Sequence, residues 1–139
     1  MWLETKDGDP GARVLADRHY SRVSVGYPRF VGPGDRLVLV TSDYTALFIW
    51  RKSVYRQDGQ TGIECSLFRN ESKMLSSELI KEAVQLARKK WPGERLFTYV
   101  WDAKVRSTNP GFCYLQAGWK KCGRNKDGRL TILEYFEAS

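Results

Sequence analysis

One stretch, Thr108-Asn109-Pro110-Gly111-Phe112-Cys113-Tyr114-Leu115-Gln116-Ala117-Gly118-Trp119, constrains the fold of this chain more than any other. Asn109 precedes a helix-opening Pro-Gly pair. A short apolar helix follows, then Ala-Gly, then an aromatic residue that starts a strand. A short helix that ends in glycine and turns straight into a strand is a compact device.

The rest of the chain supplies a sheet for that device to join. A short first strand is expected around Trp2–Thr5. Asp9-Pro10 gives a cap and a first-turn proline for a helix over Gly11–Ser21 that buries Val14, Leu15 and Tyr20. Residues 24–35, with Gly26, Pro28, Gly32, Pro33 and Gly34, read as a loop. Arg36–Thr41 and Tyr44–Arg51 read as a hairpin around Ser42-Asp43, and Ile63–Arg69 as a third strand. In that strand Cys65 and Leu67 are expected on one face, opposite Glu64 and Ser66. Leu75–Lys90 has apolar residues at helical spacing (Leu75, Leu79, Ile80, Ala83, Leu86, Ala87), and Trp91-Pro92-Gly93 stops it. Arg95–Trp101, Trp119–Gly123 and Leu130–Phe136 are the remaining strands, the last two joined by Asn125-Lys126-Asp127-Gly128. The order is β-α-β-β-β-α-β-α-β-β, and its central strand–long helix–strand unit is a right-handed parallel crossover. The class is α/β (α+β): a mixed central sheet with helices on both faces, in one domain spanning 1–139.

Bulk properties narrow the partners. No apolar run approaches the about 20 residues a membrane helix needs, and the N-terminus has no signal-peptide pattern. A cytoplasmic protein with no membrane partner is expected. Cys65, Cys113 and Cys122 have no CxxC spacing and accompany a single histidine, so no structural zinc set forms and buried free thiols are expected. A net charge of +7 favours an anionic partner (a nucleic acid, a nucleotide or a phosphorylated cofactor) over a generic basic protein, and the five Trp, seven Tyr and six Phe that accompany it favour nucleic acid among these.

Three segments carry chemistry. Asp17-Arg18-His19-Tyr20-Ser21-Arg22 holds the chain's one histidine, a general base or a metal ligand near neutral pH. Tyr20 is a core residue, a phenolate ligand or a stacking surface. Arg18 and Arg22 grip a phosphate or form a solvated face. Phe68-Arg69-Asn70-Glu71 closes the central strand, where ligands of open sheets bind. Arg69 and Asn70 suit a phosphate or a base edge; Glu71 accepts a proton or caps the long helix. Asp102 ends the next strand as a catalyst or a turn residue, and Lys104, Arg106, Ser107 and Asn109 behind it suit a nucleic-acid backbone. Tyr114 and Gln116 on the short helix are expected to face the same cleft.

The element order and the Asn109–Trp119 turn resemble the GNAT acyltransferase fold, across nearly the whole chain. One departure is plain. The resemblance implies a glycine-rich loop whose amides hold the pyrophosphate of acetyl-CoA at a helix start. Here the junction Phe68-Arg69-Asn70-Glu71-Ser72-Lys73-Met74-Leu75 contains no glycine, and Glu71 brings negative charge.

Asp17–Arg22, Phe68–Glu71, Asp102 and Asn109-Pro110-Gly111 through Gly118-Trp119 together resemble the Mom family of phage DNA-modification proteins. That resemblance implies an enzyme on a GNAT-like scaffold that converts adenine in double-stranded DNA to its N6-carbamoylmethyl (acetamido) form, protecting phage DNA from host restriction. It implies iron, a small-molecule donor of unknown identity, and work in the bacterial cytoplasm. Carried over by position, His19, Tyr20, Asp102 and Tyr114 are the site residues, with Glu71 beside them and His19 and Asp102 as metal ligands. Such an enzyme extrudes its base from the stack. Tyr20, Tyr27, Phe30 and Trp50 are then stacking candidates, and Asn70 suits an adenine edge. An acetyl-CoA-dependent GNAT N-acetyltransferase and a non-catalytic basic DNA-binding protein are the alternatives.

Overall fold

The computed structural model describes residues 1–19, 25–53, 58–101 and 111–135. Within them the elements follow the expected order: β1 (Leu3–Thr5), α1 (Pro10–Asp17), β2 (Asp35–Val40), β3 (Ala46–Lys52), β4 (Ile63–Asn70), α2 (Ser76–Lys90), β5 (Leu96–Trp101), α3 (Phe112–Gln116), β6 (Trp119–Arg124) and β7 (Leu130–Tyr135). The strands make one seven-stranded sheet in the order β1-β2-β3-β4-β5-β7-β6. Neighbours are antiparallel except β4 and β5, which α2 connects as a parallel pair. α1 covers one face; α2 and α3 cover the other.

α1 starts where the sequence places it. The Asp9 carboxylate accepts from the amides of Gly11 and Ala12 at 2.9 and 3.2 Å, and Pro10 sits in the first turn. The helix stops at Asp17, short of the expected Ser21. The Arg18 and His19 amides bond back to Leu15 and Ala16, tightening the last turn. Ala12, Leu15 and Ala16 form its buried stripe against Val38, Val40, Leu47, Ile49 and Leu67. Val14, expected inside, is 43% exposed, because so short a helix buries only one narrow stripe. Tyr20 lies outside the described residues.

α2 buries Leu79, Ile80, Ala83, Val84 and Ala87 on the opposite face. Burying Leu79, Ile80 and Val84 stabilises by roughly 1.5–3 kcal/mol each, and the two alanines by less. Leu75 is the N-cap and is 67% exposed, so it contributes nothing to the stripe expected of it. The indole N–H groups of Trp2 and Trp50 donate to the Leu79 and Ala83 carbonyls at 2.8 and 3.0 Å, tying α2 to the sheet. Trp50 is fully buried and stacks on Trp119, ring centres 6.1 Å apart. It is a core residue and cannot stack on a base. Tyr44, expected in β3, lies in the preceding turn at φ 56°.

β4 carries the largest departure from the sequence reading. Ile49 pairs with Leu67 and the adjacent Trp50 pairs with Cys65, so Ser66 is an extra residue on β4. That bulge inverts the alternation of side chains. Ile63 and Cys65 face α2 and α3, Leu67 faces α1, and Phe68 faces α2 and α3 again. Cys65 and Leu67 therefore lie on opposite faces. Of the three cysteines, Cys65 is buried, Cys113 is half-buried and Cys122 is exposed; all are free thiols, and the last departs from the expected burial. Among the described residues no helix is long and apolar enough to cross a membrane.

Candidate functional site

The parallel pair at the sheet's centre is short. β4 and β5 are in register only over Ile63–Cys65 and Leu96–Thr98. Beyond the Thr98 hydroxyl, which donates to the Cys65 carbonyl at 2.8 Å, each strand keeps only its outer neighbour: Leu67–Asn70 pair with β3 and Tyr99–Trp101 with β7. The strands part, and a cavity of about 410 Å³ fills the gap. That volume lies within the about 300–1,000 Å³ typical of ligand pockets. Ser66, Leu67 and Phe68 form one wall, and Thr98, Tyr99, Val100 and Trp101 the other. Gly111, Cys113 and Tyr114 close it from the α3 side, and His19 lines it from beyond the end of α1. The two helices lie on opposite faces of the sheet, so the gap is a slot reached from both.

His19 is partly buried and its imidazole hydrogen-bonds the Phe68 backbone. Burial, and then the nearby Arg69 guanidinium, push its pKa down to about 4 from 6.5, against the opposing effect of that hydrogen bond. At neutral pH the ring is uncharged, which leaves a nitrogen able to accept a proton or to hold a metal. Tyr114 is buried, with its ring edge-on to Trp119 and Phe68 at 5.0 and 6.2 Å. Its hydroxyl lies 3.5 Å from the Cys65 sulfur. Burial pushes the Cys65 thiol up to about 12, so it stays protonated and is no nucleophile. Gln116 is exposed on the far side of α3 and does not line the cavity.

Arg18, Arg69 and Glu71 form one cluster at the rim. Arg18 donates two hydrogen bonds to the Glu71 carboxylate at 2.8 and 2.9 Å. Arg69 donates to the same carboxylate and to the Arg18 carbonyl. The two guanidiniums, Arg69 first, hold Glu71 below the usual carboxylate range despite some burial. Glu71 is thus an ionised anchor and does not cap α2, whose N-cap has no side-chain hydrogen bond.

Asn70 is engaged at both ends of its amide. Its nitrogen donates to the Met74 carbonyl and the Ser76 hydroxyl, and its oxygen accepts from the Ser72 amide and hydroxyl. Those bonds shape the β4–α2 junction and occupy the groups that an adenine edge requires. Three backbone amides of the same junction are also engaged within the protein. The amides of Glu71, Ser72 and Met74 are bonded to the Thr45 carbonyl, the Asn70 side chain and the Ser72 hydroxyl.

Among the described residues no three His, Cys, Asp or Glu side chains come together to hold a metal ion. Neutral His19 is in the right state for a ligand, but Asp102, its expected partner, lies outside the described residues, as do Tyr20, Arg22, Lys104, Arg106, Ser107 and Asn109. Trp101, the residue before Asp102, lines the cavity with His19. Of the expected site residues, His19 and Tyr114 meet at the cavity, and Arg18, Arg69 and Glu71 meet at its rim. Cys65, Phe68, Val100 and Trp101 line the cavity without being expected there. The available signals were the strand-end positions of Trp101, beside Asp102, and of Phe68, which opens the segment closing β4.

The GNAT domain of S. lividans PAT is a structural neighbour, with a TM-score of 0.59 and 17% identity over 96% of this chain and 88% of that one. No protein-family model and no curated protein matches the chain. The sheet order, the parallel crossover and this likeness make the fold GNAT-like, a mixed α/β sheet with helices on both faces.

Proposed function

We propose that this protein is a group-transfer enzyme on a GNAT-like scaffold that modifies adenine in double-stranded DNA at its exocyclic amine, giving the N6-carbamoylmethyl form. The observation that carries this reading is the slot between β4 and β5, where a neutral imidazole and a phenol line one cavity from opposite faces of the sheet. As the donor's carbon bonds to N6, its bond to the donor's leaving group breaks and that group departs with the electron pair. The one N6 proton released passes to His19, whose ring is uncharged at neutral pH and suited to accept it. The Tyr114 hydroxyl adds a donor and acceptor in the same space. Extruding the base costs roughly a few kcal/mol, offset by stacking and edge contacts. Tyr20 and Asp102 belong to the proposed set by their places in the sequence, next to His19 and Trp101.

The donor is a small molecule, and iron, if it acts here, uses His19 and Asp102. In a phage-infected cell the reaction protects phage DNA from host restriction, in the bacterial cytoplasm. Nucleosides from a digest of DNA from expressing cells, separated by mass spectrometry, test the proposal. A modified deoxyadenosine is expected, and its loss in His19→Ala and Asp102→Ala. Unmodified adenine throughout, with folded protein present, overturns it.

The likeness to a GNAT domain favours a second reading, acetyl transfer from acetyl-CoA to a small or protein amine. The glycine-free junction with its occupied amides weighs against it. Calorimetry with acetyl-CoA separates the two, since tight binding favours the second reading.

A further inference from the structure

The β6–β7 hairpin concentrates the chain's charge. Lys120, Lys121, Arg124, Lys126 and Arg129 stand against the single carboxylate of Asp127, so residues 119–130 hold four of the net seven positive charges. All five cations are exposed. Elsewhere the described cations are largely neutralised in pairs: Arg18 and Arg69 by Glu71, Arg36 by Asp7, Lys52 by Glu94, Lys90 by Asp35. On the hairpin, Glu134 lies opposite Lys120, but its carboxylate is taken by Arg95 at 2.6 Å. Lys120, Lys121 and Lys126 have no ion pair among the described residues.

Among the described residues β6 is the sheet's last strand, so side chains on both of its faces border one edge. A charged backbone running along that edge meets Lys120 from one face and Lys121 from the other. The same hairpin reaches the cavity. Leu130 lines it, and Arg129 lies 5.7 Å above the ring of Trp101, which lines it too.

Resting on the DNA-modification reading, we propose that the β6–β7 hairpin is the surface that seats duplex DNA, its lysines on the phosphates and its Arg129 end at the cavity mouth. Charge complementarity to a dense polyanion selects this partner. Fluorescence anisotropy with a labelled duplex across a potassium chloride series tests it. Two triple variants are compared: Lys120→Gln, Lys121→Gln, Lys126→Gln, and a control with the same charge removed, Lys6→Gln, Lys81→Gln, Lys89→Gln. The hairpin triple is expected to bind roughly tenfold or more weaker, with the salt slope reduced by about 0.9 for each phosphate no longer neutralised. The control is expected to bind within about twofold of wild type.

Equal losses in both triples overturn the interface, as does an unchanged hairpin triple. So does wild-type protein with no salt-sensitive binding. A hairpin triple that self-associates at unchanged DNA affinity shows that the lysines only guard an edge strand, and also overturns it. Binding through the hairpin with unmodified adenine in the nucleoside digest removes the enzyme activity and leaves the interface standing.

Discussion

Arg18 and Glu71 are joined by two hydrogen bonds of 2.8 and 2.9 Å that tie the end of α1 to the end of β4. The next residue after Arg18 is His19, so this pair, reinforced by Arg69 on the Arg18 carbonyl, fixes where the imidazole enters the slot. Two-pronged guanidinium–carboxylate contacts define orientation as well as distance.

Glu71→Gln keeps the shape and removes the charge. A loss of about 1 kcal/mol in urea denaturation is expected, modest because Arg18 is half-exposed. Glu71 titrates below its ordinary value in the folded state, so its contribution is full above the unfolded pKa and fades as pH falls through the lower folded one. The variant therefore loses part of the wild type's acid sensitivity below about pH 4. Unchanged stability in Glu71→Gln would show that the pair does not anchor α1.

His19 is the only histidine, so its ring protons give a single NMR titration. The expected midpoint is about 4, against 6.5 for an open imidazole. Protonation is suppressed in the folded state, so folding stability is full above pH 6.5 and declines as pH falls towards 4, by roughly 3 kcal/mol. His19→Gln is expected to abolish that decline. A midpoint near 6.5 would place the ring in solvent and remove it from the slot.

Tyr114→Phe keeps the ring against Trp119 and Phe68 and deletes the hydroxyl near Cys65. Stability is expected to change by less than about 1 kcal/mol, while DNA modification falls by about 100-fold or more. Tyr114→Ala leaves a core cavity and is expected to cost about 3–5 kcal/mol. Full activity in Tyr114→Phe removes the hydroxyl from the chemistry.

Gly111 opens α3 at φ 83°, and a Cβ there would lie 2.8 Å from Leu133 Cδ1. Gly111→Ala is expected to lose about 2 kcal/mol from strain and contact together. It displaces α3, so activity should fall further than the stability loss explains. Thermal melting and the nucleoside digest on one preparation measure both; wild-type values in each would mean the turn tolerates a side chain.

Local rules made much of this protein legible before any coordinates. Asp9 before Pro10 started α1, the spacing of Leu79, Ile80, Ala83 and Ala87 set the inward stripe of α2, and Asn125–Gly128 marked the last hairpin. Each is written within a few residues of where it acts. The missing glycines between β4 and α2 were equally plain.

Tertiary structure decided the rest. The extra residue at Ser66 appears only when β4 is laid against β3, since two residues on one strand then oppose one on the other, and from there Leu67 and Phe68 change faces. The parting of β4 from β5 after Thr98 depends on each strand's outer neighbour, a pairing made far along the chain. His19 and Tyr114 share a cavity because that parting opens the sheet from both sides. Sequence specifies what a segment prefers; which long-range rungs form, and where they stop forming, is settled when the whole sheet assembles.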